Sequence, residues 1–397
     1  MPVIAKNSTV QHFASLSFAS ELEIWTRAER ERFNQPVTFA SCFISPQFAA
    51  QAPEILEIIR IYGQTNSVVG CTSNALVTEN REIENEAGFI VTLYFLPETE
   101  ADCFYISSSQ LNDESDTPFE LGSIKDEIPD YNAWLLFASP QNVEGEAWLK
   151  QWDLATEGAV TVGGYASAQN QNDPFLIFHR GKVHEEGAVA VGLKGRVTIE
   201  PIISQGCRPV GTPWPVTQAT MNVIHKIGNR PILEVLRDTL EGMSQDDQSM
   251  ARGNIFIGLV LDEYKPKFET GDFLVRNLAA IDPKSGAVAI ATAPRVGQNL
   301  QFQIRDAHTA SVGFEKRLEA KRTQIGDRTI YGGCLVDCIG RGTSLYGVPD
   351  HDIRTIQSIF PGLPVSGLFC NGEFGRAKGL TRLHGYAACL GLFVDRD

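Results

Sequence analysis

An arginine set between two glycines, Gly340-Arg341-Gly342, follows the apolar run Cys334–Ile339. A guanidinium is a planar fork that grips a carboxylate or phosphate through two parallel hydrogen bonds, and flanking glycines leave that fork unobstructed. The sequence therefore places Arg341 in a cleft, facing an anionic group, rather than buried against a core. The competing reading is a structural salt bridge to Glu373 or Asp350. Glu373 follows Asn371-Gly372 in a stretch that is otherwise apolar or small. A carboxylate there suits a ligand amine, a general base, or an ion pair with a nearby arginine. His384 opens the last strand, as a structural imidazole or as a catalytic one.

Other chemistries compete for the same residues. Cys338, His384 and Glu373 are the parts of a thiolate–imidazole nucleophile, which makes a thiol-dependent enzyme the alternative to a binding protein. Against it, the cysteines are scattered through apolar strands, where a free thiol is ordinarily packing. Cys334, Cys338, Cys370 and His384 could be read as a metal site, and Cys334 and Cys338 share one face of a strand. Neither a Cys-x2-Cys spacing nor a paired His-x3-His supports that reading, so no metal is expected. Gly340-Arg341-Gly342 lacks the third glycine of a dinucleotide fingerprint and no Walker A sequence is present, so no cofactor is expected. A pure scaffold is disfavoured by the density of polar strand exits.

Three stretches repeat the elements that must position these groups. Each has an apolar strand with a small polar exit, a helix-length spacer, a second strand broken by small residues, and a third strand opening on glycine. The copies are Val37–Ser45, Val68–Ser73 and Gly88–Leu96; Ala133–Ser139, Ala159–Ser167 and Gly187–Leu193; and Tyr331–Gly342, Pro364–Gly375 and Gly385–Val394. The first two share the exit Ser-Pro-Gln at Ser45 and Ser139. Ser45 lies 25 residues before Gly70, Ser139 lies 24 before Gly163, and the steps Gly70 to Gly88 and Gly367 to Gly385 are both 18. The pattern is a β-α-β-β unit used three times. It predicts that the copies superpose, with Cys71, Gly164 and Cys370 in equivalent places and the exits converging. Small residues at strand exits let a ligand approach backbone N–H groups.

Helices are predicted over Ser20–Arg32, with Leu22, Trp25 and Ala28 inward, over Phe48–Tyr62, from Pro231 through Leu240, and over His308–Lys321. Strands are predicted at Ile255–Leu261, Phe273–Ile281, Ala287–Ala293 and Leu300–Ile304. The acidic segment Asn112–Asp130 reads as a solvated loop. Pro209, Pro213 and Pro215 mark residues 207–216 as a linker. The fold class is thus α/β, with mixed sheets carrying helices. Residues 1–206 form one domain, with units near 33–96 and 131–193, and residues 217–397 form a second, with a unit near 329–394.

The chain has 397 residues and a formal net charge of −14, which disfavours nucleic acid and anionic membrane surfaces as partners. Its eight cysteines do not form a secreted disulfide framework, and neither a signal peptide nor a membrane-length apolar run is found. These features predict a cytoplasmic protein with reduced thiols.

Several motifs occur in a telling order. They are Gly70-Cys71-Thr72-Ser73, Gly163-Gly164, Gln205-Gly206-Cys207-Arg208-Pro209-Val210-Gly211, Leu274-Val275-Arg276-Asn277, Cys338-Ile339-Gly340-Arg341-Gly342, Asn371-Gly372-Glu373 and His384-Gly385-Tyr386. Together they resemble the FIST family, with its N-terminal and C-terminal FIST domains, over roughly residues 30–392. Asn74 departs from the pattern, where a glycine is more usual. The resemblance implies a sensory module for small ligands, amino acids or their derivatives among them. It also implies output through a separate signalling partner, because no kinase, cyclase, transcription-factor or F-box segment accompanies the motifs. The expected ligand contacts are Cys71, Thr72, Ser73, Gly163, Gly164, Arg276, Asn277, Cys338, Gly340, Arg341, Gly342, Asn371, Glu373 and His384. The expected ligand is a small polar metabolite, anionic or zwitterionic.

Overall fold

Three strands with both faces buried organise most of the chain: Phe39–Ile44, Ala133–Ala138 and Thr329–Cys338. Such near-continuous apolar runs suit central strands covered on both sides. The structure, a computed structural model, describes residues 2–113, 121, 130–143, 146–170 and 172–396. Most of the expected acidic loop, Asn112–Asp130, lies outside the described residues.

The first repeat comprises β1 (Ser8–Phe13), α1 (Ala19–Phe33), β2 (Phe39–Ile44), α2 (Ala52–Gly63), β3 (Val68–Thr72), a hairpin of β4 (Leu76–Val77) and β5 (Glu82–Ile83), and β6 (Phe89–Tyr94). The second comprises β7 (Thr99–Ile106), β8 (Ala133–Ala138), α3 (Trp148–Ala155), β9 (Val160–Tyr165), a hairpin of β10 (Ile177–His179) and β11 (Lys182–His184), and β12 (Ala188–Gly195). β13 (Val197–Gln205) then opens the third, but other elements intervene: β14 (Cys207–Thr220), β15 (Val223–Ile227), α4 (Ile232–Glu241), α5 (Gln245–Ala251), β16 (Ile255–Val260), β17 (Phe273–Asp282), β18 (Ala287–Ile290) and β19 (Asn299–Arg305). The third repeat resumes with α6 (Ala307–Ile325), β20 (Thr329–Cys338), α7 (Gly342–Tyr346), α8 (His351–Ile359), β21 (Val365–Cys370), a hairpin of β22 (Glu373–Ala377) and β23 (Leu380–His384), and β24 (Ala387–Asp395).

The sheets have one design. In each, the central strand pairs in parallel with the strand after its helix and antiparallel with the last strand of its repeat. The hairpin leaves its own sheet. The orders are β11-β10-β3-β2-β6-β1, β23-β22-β9-β8-β12-β7 and β5-β4-β21-β20-β24-β13. Repeat 2 thus lends its hairpin to sheet 1, repeat 3 to sheet 2, and repeat 1 to sheet 3. The register confirms the repeat residue by residue. Gly70, Gly163 and Gly367 face Cys42, Leu136 and Leu335. A Cβ on these glycines would sit 1.8, 1.7 and 1.9 Å from the facing carbonyl oxygens, so each position admits only glycine.

Two details of the expected equivalence are corrected by this register. Cys71 and Gly164 do correspond, facing Ile177 and Glu373, but their counterpart is Leu368, facing Leu76, with Cys370 two residues further on. The third copy's last strand begins at Ala387, so Gly385 belongs to the preceding loop and the matching 18-residue step is coincidental.

By compactness the chain forms two units: Met1–Ile203 with Glu315–Leu383 and Ala388–Asp397, and Ser204–Phe314 with His384–Ala387. All three sheets belong to the first. There Phe43 meets Phe137 edge-on at 5.3 Å and Tyr94 meets Phe393 at 4.8 Å, so side chains from different sheets share one interior. The helices cover the outer faces. α2 buries Ile55, Leu56 and Ile59; α1 buries Leu22 and Thr26, while Ala28 is exposed, contrary to the expected stripe.

The second unit is a six-stranded barrel, ordered β14-β19-β16-β17-β18-β15 and closed by β14 against β15. Residues 207–216, expected as a linker, are the first part of β14. Its prolines are tolerated because the ladder is irregular there, with register shifts between Val210 and Trp214 and again between Val216 and Gln218. The barrel is inserted within the third repeat, so the boundary expected near residue 210 does not separate the compact units.

Candidate functional site at the third strand exit

β20 ends in Asp337-Cys338, and the chain turns through Gly340 into Arg341 and the short helix α7. Arg341 is only 1% exposed. Its Nε donates to Asp352 Oδ2 at 2.7 Å and lies 3.0 Å from Asp337 Oδ1; its Nη2 donates to Asp352 Oδ1 at 2.9 Å and to the Tyr346 hydroxyl at 2.7 Å. The expected open fork is therefore closed. The salt-bridge alternative holds in kind, but with Asp337 and Asp352 as partners rather than Glu373 or Asp350. Tyr346 also donates to Asp352 Oδ1 at 3.1 Å, and its ring stacks on His351 at 3.6 Å.

The lent hairpin of repeat 1 completes this cluster. Glu82 Oε1 accepts the backbone N–H groups of Asp352 at 2.8 Å and Ile353 at 2.9 Å, and Glu84 accepts from the N–H and hydroxyl of Thr343. Asp350 in turn accepts from Glu82 N at 2.8 Å. Carboxylates thus meet the first turns of α7 and α8, where free N–H groups favour negative charge. Gly342 has φ +58°, and a Cβ there would lie 2.9 Å from the Glu84 carboxylate.

Two buried carboxyls, Asp337 and Asp352, share one guanidinium, and a third, Glu82, lies beside them. Carboxylate oxygens of Glu82, Asp337 and Asp352 lie within 4.8 Å of one another. Burial and the charge of Asp352 drive the Asp337 carboxyl well above the carboxylate range, against the pull of Arg341. Burial also pulls on Asp352, but Arg341 and the hydrogen bonds from His351 and Arg341 outweigh it and hold that carboxyl below its usual range. The surroundings thus favour the protonated form of Asp337 and the ionised form of Asp352 beside Arg341. Burial, with Asp352 and Glu84 adding repulsion, pushes Glu82 up to about 7 despite its two backbone hydrogen bonds.

The three exits do converge. Ser73 Oγ and Ser167 Oγ both donate to Phe369 O, at 3.0 and 2.5 Å, and Ser167 N donates to Thr72 O. The first two exits are closed by these bonds. Thr72 Oγ1 donates to Pro174 O and accepts from Leu176 N. Gly164 is small because a Cβ there would lie 2.7 Å from Cys370 Sγ and 2.8 Å from Val336. Cys71, Thr72, Ser73, Gly163 and Gly164 are all buried.

The third exit differs. Register places Cys338 where the other repeats have Ser45 and Ser139, and it faces Cys370 on β21. The buried Glu373 carboxylate accepts from Gly372 N at 3.2 Å, with Cys370 Sγ 3.6 Å away. Asn371 is exposed and Gly340 half-buried at the same edge. Burial pushes the Cys71, Cys370 and Cys389 thiols up, first for Cys71 and Cys370 by desolvation and then by neighbouring negative groups, which is the reverse of thiolate activation.

The sequence residues divide between the units. Cys338, Gly340, Arg341, Gly342, Asn371 and Glu373 gather at the third exit. Arg276, Asn277 and His384 belong to the barrel unit, where Arg276 is buried, Asn277 accepts from the Tyr386 hydroxyl at 2.6 Å, and Gln205 Nε2 lies 3.5 Å from His384 Nδ1. Sequence reasoning missed Glu82, Asp337, Tyr346, His351 and Asp352. Asp337 had a signal, a charge inside an apolar strand; Glu82 had none, because the exchange of hairpins brings it in.

The FIST N domain matches residues 38–230 and the FIST C domain matches residues 233–376. The chain belongs to the FIST family. An uncharacterized protein of Mycobacterium tuberculosis is 32% identical over 345 residues, 87% of this chain and 88% of its own length. An uncharacterized protein of Mycobacterium bovis is 32% identical over 348 residues, 87% of both chains. The two FIST matches meet between residues 230 and 233, inside the barrel, so the family's N and C divisions do not coincide with the compact units. No helix among the described residues is long and apolar enough to cross a membrane.

Proposed function

We propose that this FIST chain is a cytoplasmic sensor that binds a small polar metabolite, amino-acid-like or another carboxylate, and signals through a separate protein. FIST domains are described as small-ligand sensory modules. The observation that carries the location is the contrast between exits. Two carry hydroxyls bonded to backbone carbonyls, whereas the third carries a buried carboxylate, Glu373, beside half-buried Gly340 and exposed Asn371. A ligand amine suits the Glu373 carboxylate, and the side-chain amide of exposed Asn371 is a donor of the kind a ligand carboxylate takes. Arg341 acts from beneath as a positioning residue, holding the Gly340–Gly342 turn to α8. Arg276, Asn277 and His384 form a second set of candidate contacts on the barrel.

The test is a thermal-shift screen with amino acids and small carboxylates. A ligand at one hundred times its Kd should stabilise the fold by roughly 2.7 kcal/mol. Glu373→Gln should abolish most of that shift. A screen without hits, or a Glu373→Gln variant with an undiminished shift, removes the site. A covalent adduct at Cys338, lost in Cys338→Ser, would establish the thiol enzyme instead.

A further inference from the structure

The hairpin that repeat 1 lends to sheet 3 is small. It pairs with β21 through Val77 and Leu76, opposite Gly367 and Leu368, with Phe369 N donating to Ala75 O beside them, and is closed by two pairs of its own, Leu76 with Ile83 and Val77 with Glu82. Leu76, Val77 and Ile83 are buried, and carboxyl hydrogen bonds add to their hold: Glu82 on the N–H groups of α8, Glu84 on Thr343, and Asp350 on Glu82 N. Its turn, residues 78–81, also borders an open cleft of about 260 Å³ lined in addition by Val10, Gln11, His12 and Ile83.

We propose that this hairpin is a proton-operated latch in which a protonated Glu82 holds β4–β5 against α8 and the Arg341 cluster, and an ionised Glu82 loosens that hold. The charges facing Glu82 come from every element around it. Glu84 is on its own hairpin; Asp337 comes from β20; Arg341 and Tyr346 come from the turn and helix α7; Asp350, His351 and Asp352 come from the start of α8. Asp352 is paired to Arg341 and Glu84 stands close by, so ionising Glu82 adds a further buried negative charge next to Asp352. The two N–H donors of α8 offset only part of this cost. The sign follows from linkage. The Glu82 carboxyl sits at about 7 when docked and near 4.5 when released. Docking is therefore firmest below about pH 4.5 and weakens as pH rises through about 7.

The proposal is independent of ligand binding and is tested on the ligand-free chain. Amide exchange at residues 76–83 and 351–354, corrected for intrinsic rates, should show about a tenfold loss of protection from pH 6 to pH 8, the equivalent of one pKa unit. Glu82→Gln should hold protection flat across that range. Carboxyl NMR titration of Glu82 in the unsubstituted chain gives a reading that needs no variant, with a midpoint near neutrality expected. Unchanged protection, a Glu82 midpoint below pH 5, or an intact slope in Glu82→Gln that vanishes in His351→Gln would each overturn the latch.

Discussion

Arg341 shows how a residue can be legible as special while its task is not. Two flanking glycines and an apolar run marked it, but its partners stand four residues before it and eleven after it, on a strand and a helix that only the fold brings together. Its burial makes it part of the structure. Truncating it would leave Asp352 ionised and unpaired in a dry interior, and breaking one side of a buried pair typically costs about 3–5 kcal/mol. Arg341→Ala is therefore expected to lower stability by about that much without ligand, measured by denaturant unfolding. Arg341→Lys should recover only part, because an ammonium cannot meet Asp337, Asp352 and Tyr346 from one plane. An Arg341→Ala variant as stable as the parent would return Arg341 to the role of an open anion fork.

Secondary elements were the most legible level. β16, β17 and β19 and helices α2, α4 and α6 lie where periodicity put them, within a few residues at their ends. What spacing could not deliver was register. Hydrogen bonding, rather than residue counting, decides that Leu368 matches Gly164, because the connections in the three repeats differ in length. The proline-marked stretch failed for a related reason: β14 absorbs its prolines at ladder irregularities that no local signal announces. The glycines at the parallel contacts offer a sharp test. A methyl at Gly163 would collide with Leu136 O, which belongs to backbone and cannot rotate away. Gly163→Ala should cost at least the 1–3 kcal/mol of ordinary overpacking. The same change at Gly379, where a Cβ meets nothing within 4 Å, should cost only the strain of its φ of +82°. Equal losses at the two positions would mean that strand contact is not what selects glycine.

At the scale of the whole molecule, the threefold repetition was visible in the sequence, but the exchange of hairpins was not. Exchange pairs segments that carry no mutual signature, and it hides the insertion of the barrel into the third repeat. It also separates this chain from a solenoid, in which each repeat touches only its neighbours and an end repeat can be removed. Here sheet 1 takes its edge from residues 177–184, and its own hairpin serves sheet 3. A fragment of residues 1–97 should therefore lack cooperative unfolding by circular dichroism and disperse poorly by NMR. A well-folded fragment would show that each repeat closes on itself and that the exchange is dispensable.

The lending of hairpins also sets an order on synthesis. Leu76 and Val77 leave the ribosome early, yet Gly367, the partner of Val77, follows 290 residues later. At translation rates of 5–20 residues per second that interval is roughly 15–60 s. Throughout it the apolar β4 has only β5 to pair with, and the edge of sheet 3 does not yet exist. Sheet 1 closes first, when residue 184 emerges, while sheets 2 and 3 both wait for the last part of the chain. The nascent protein thus carries an unclaimed β-edge for most of its synthesis, the kind of surface that chaperones cover and that neighbouring chains on a polysome can seize.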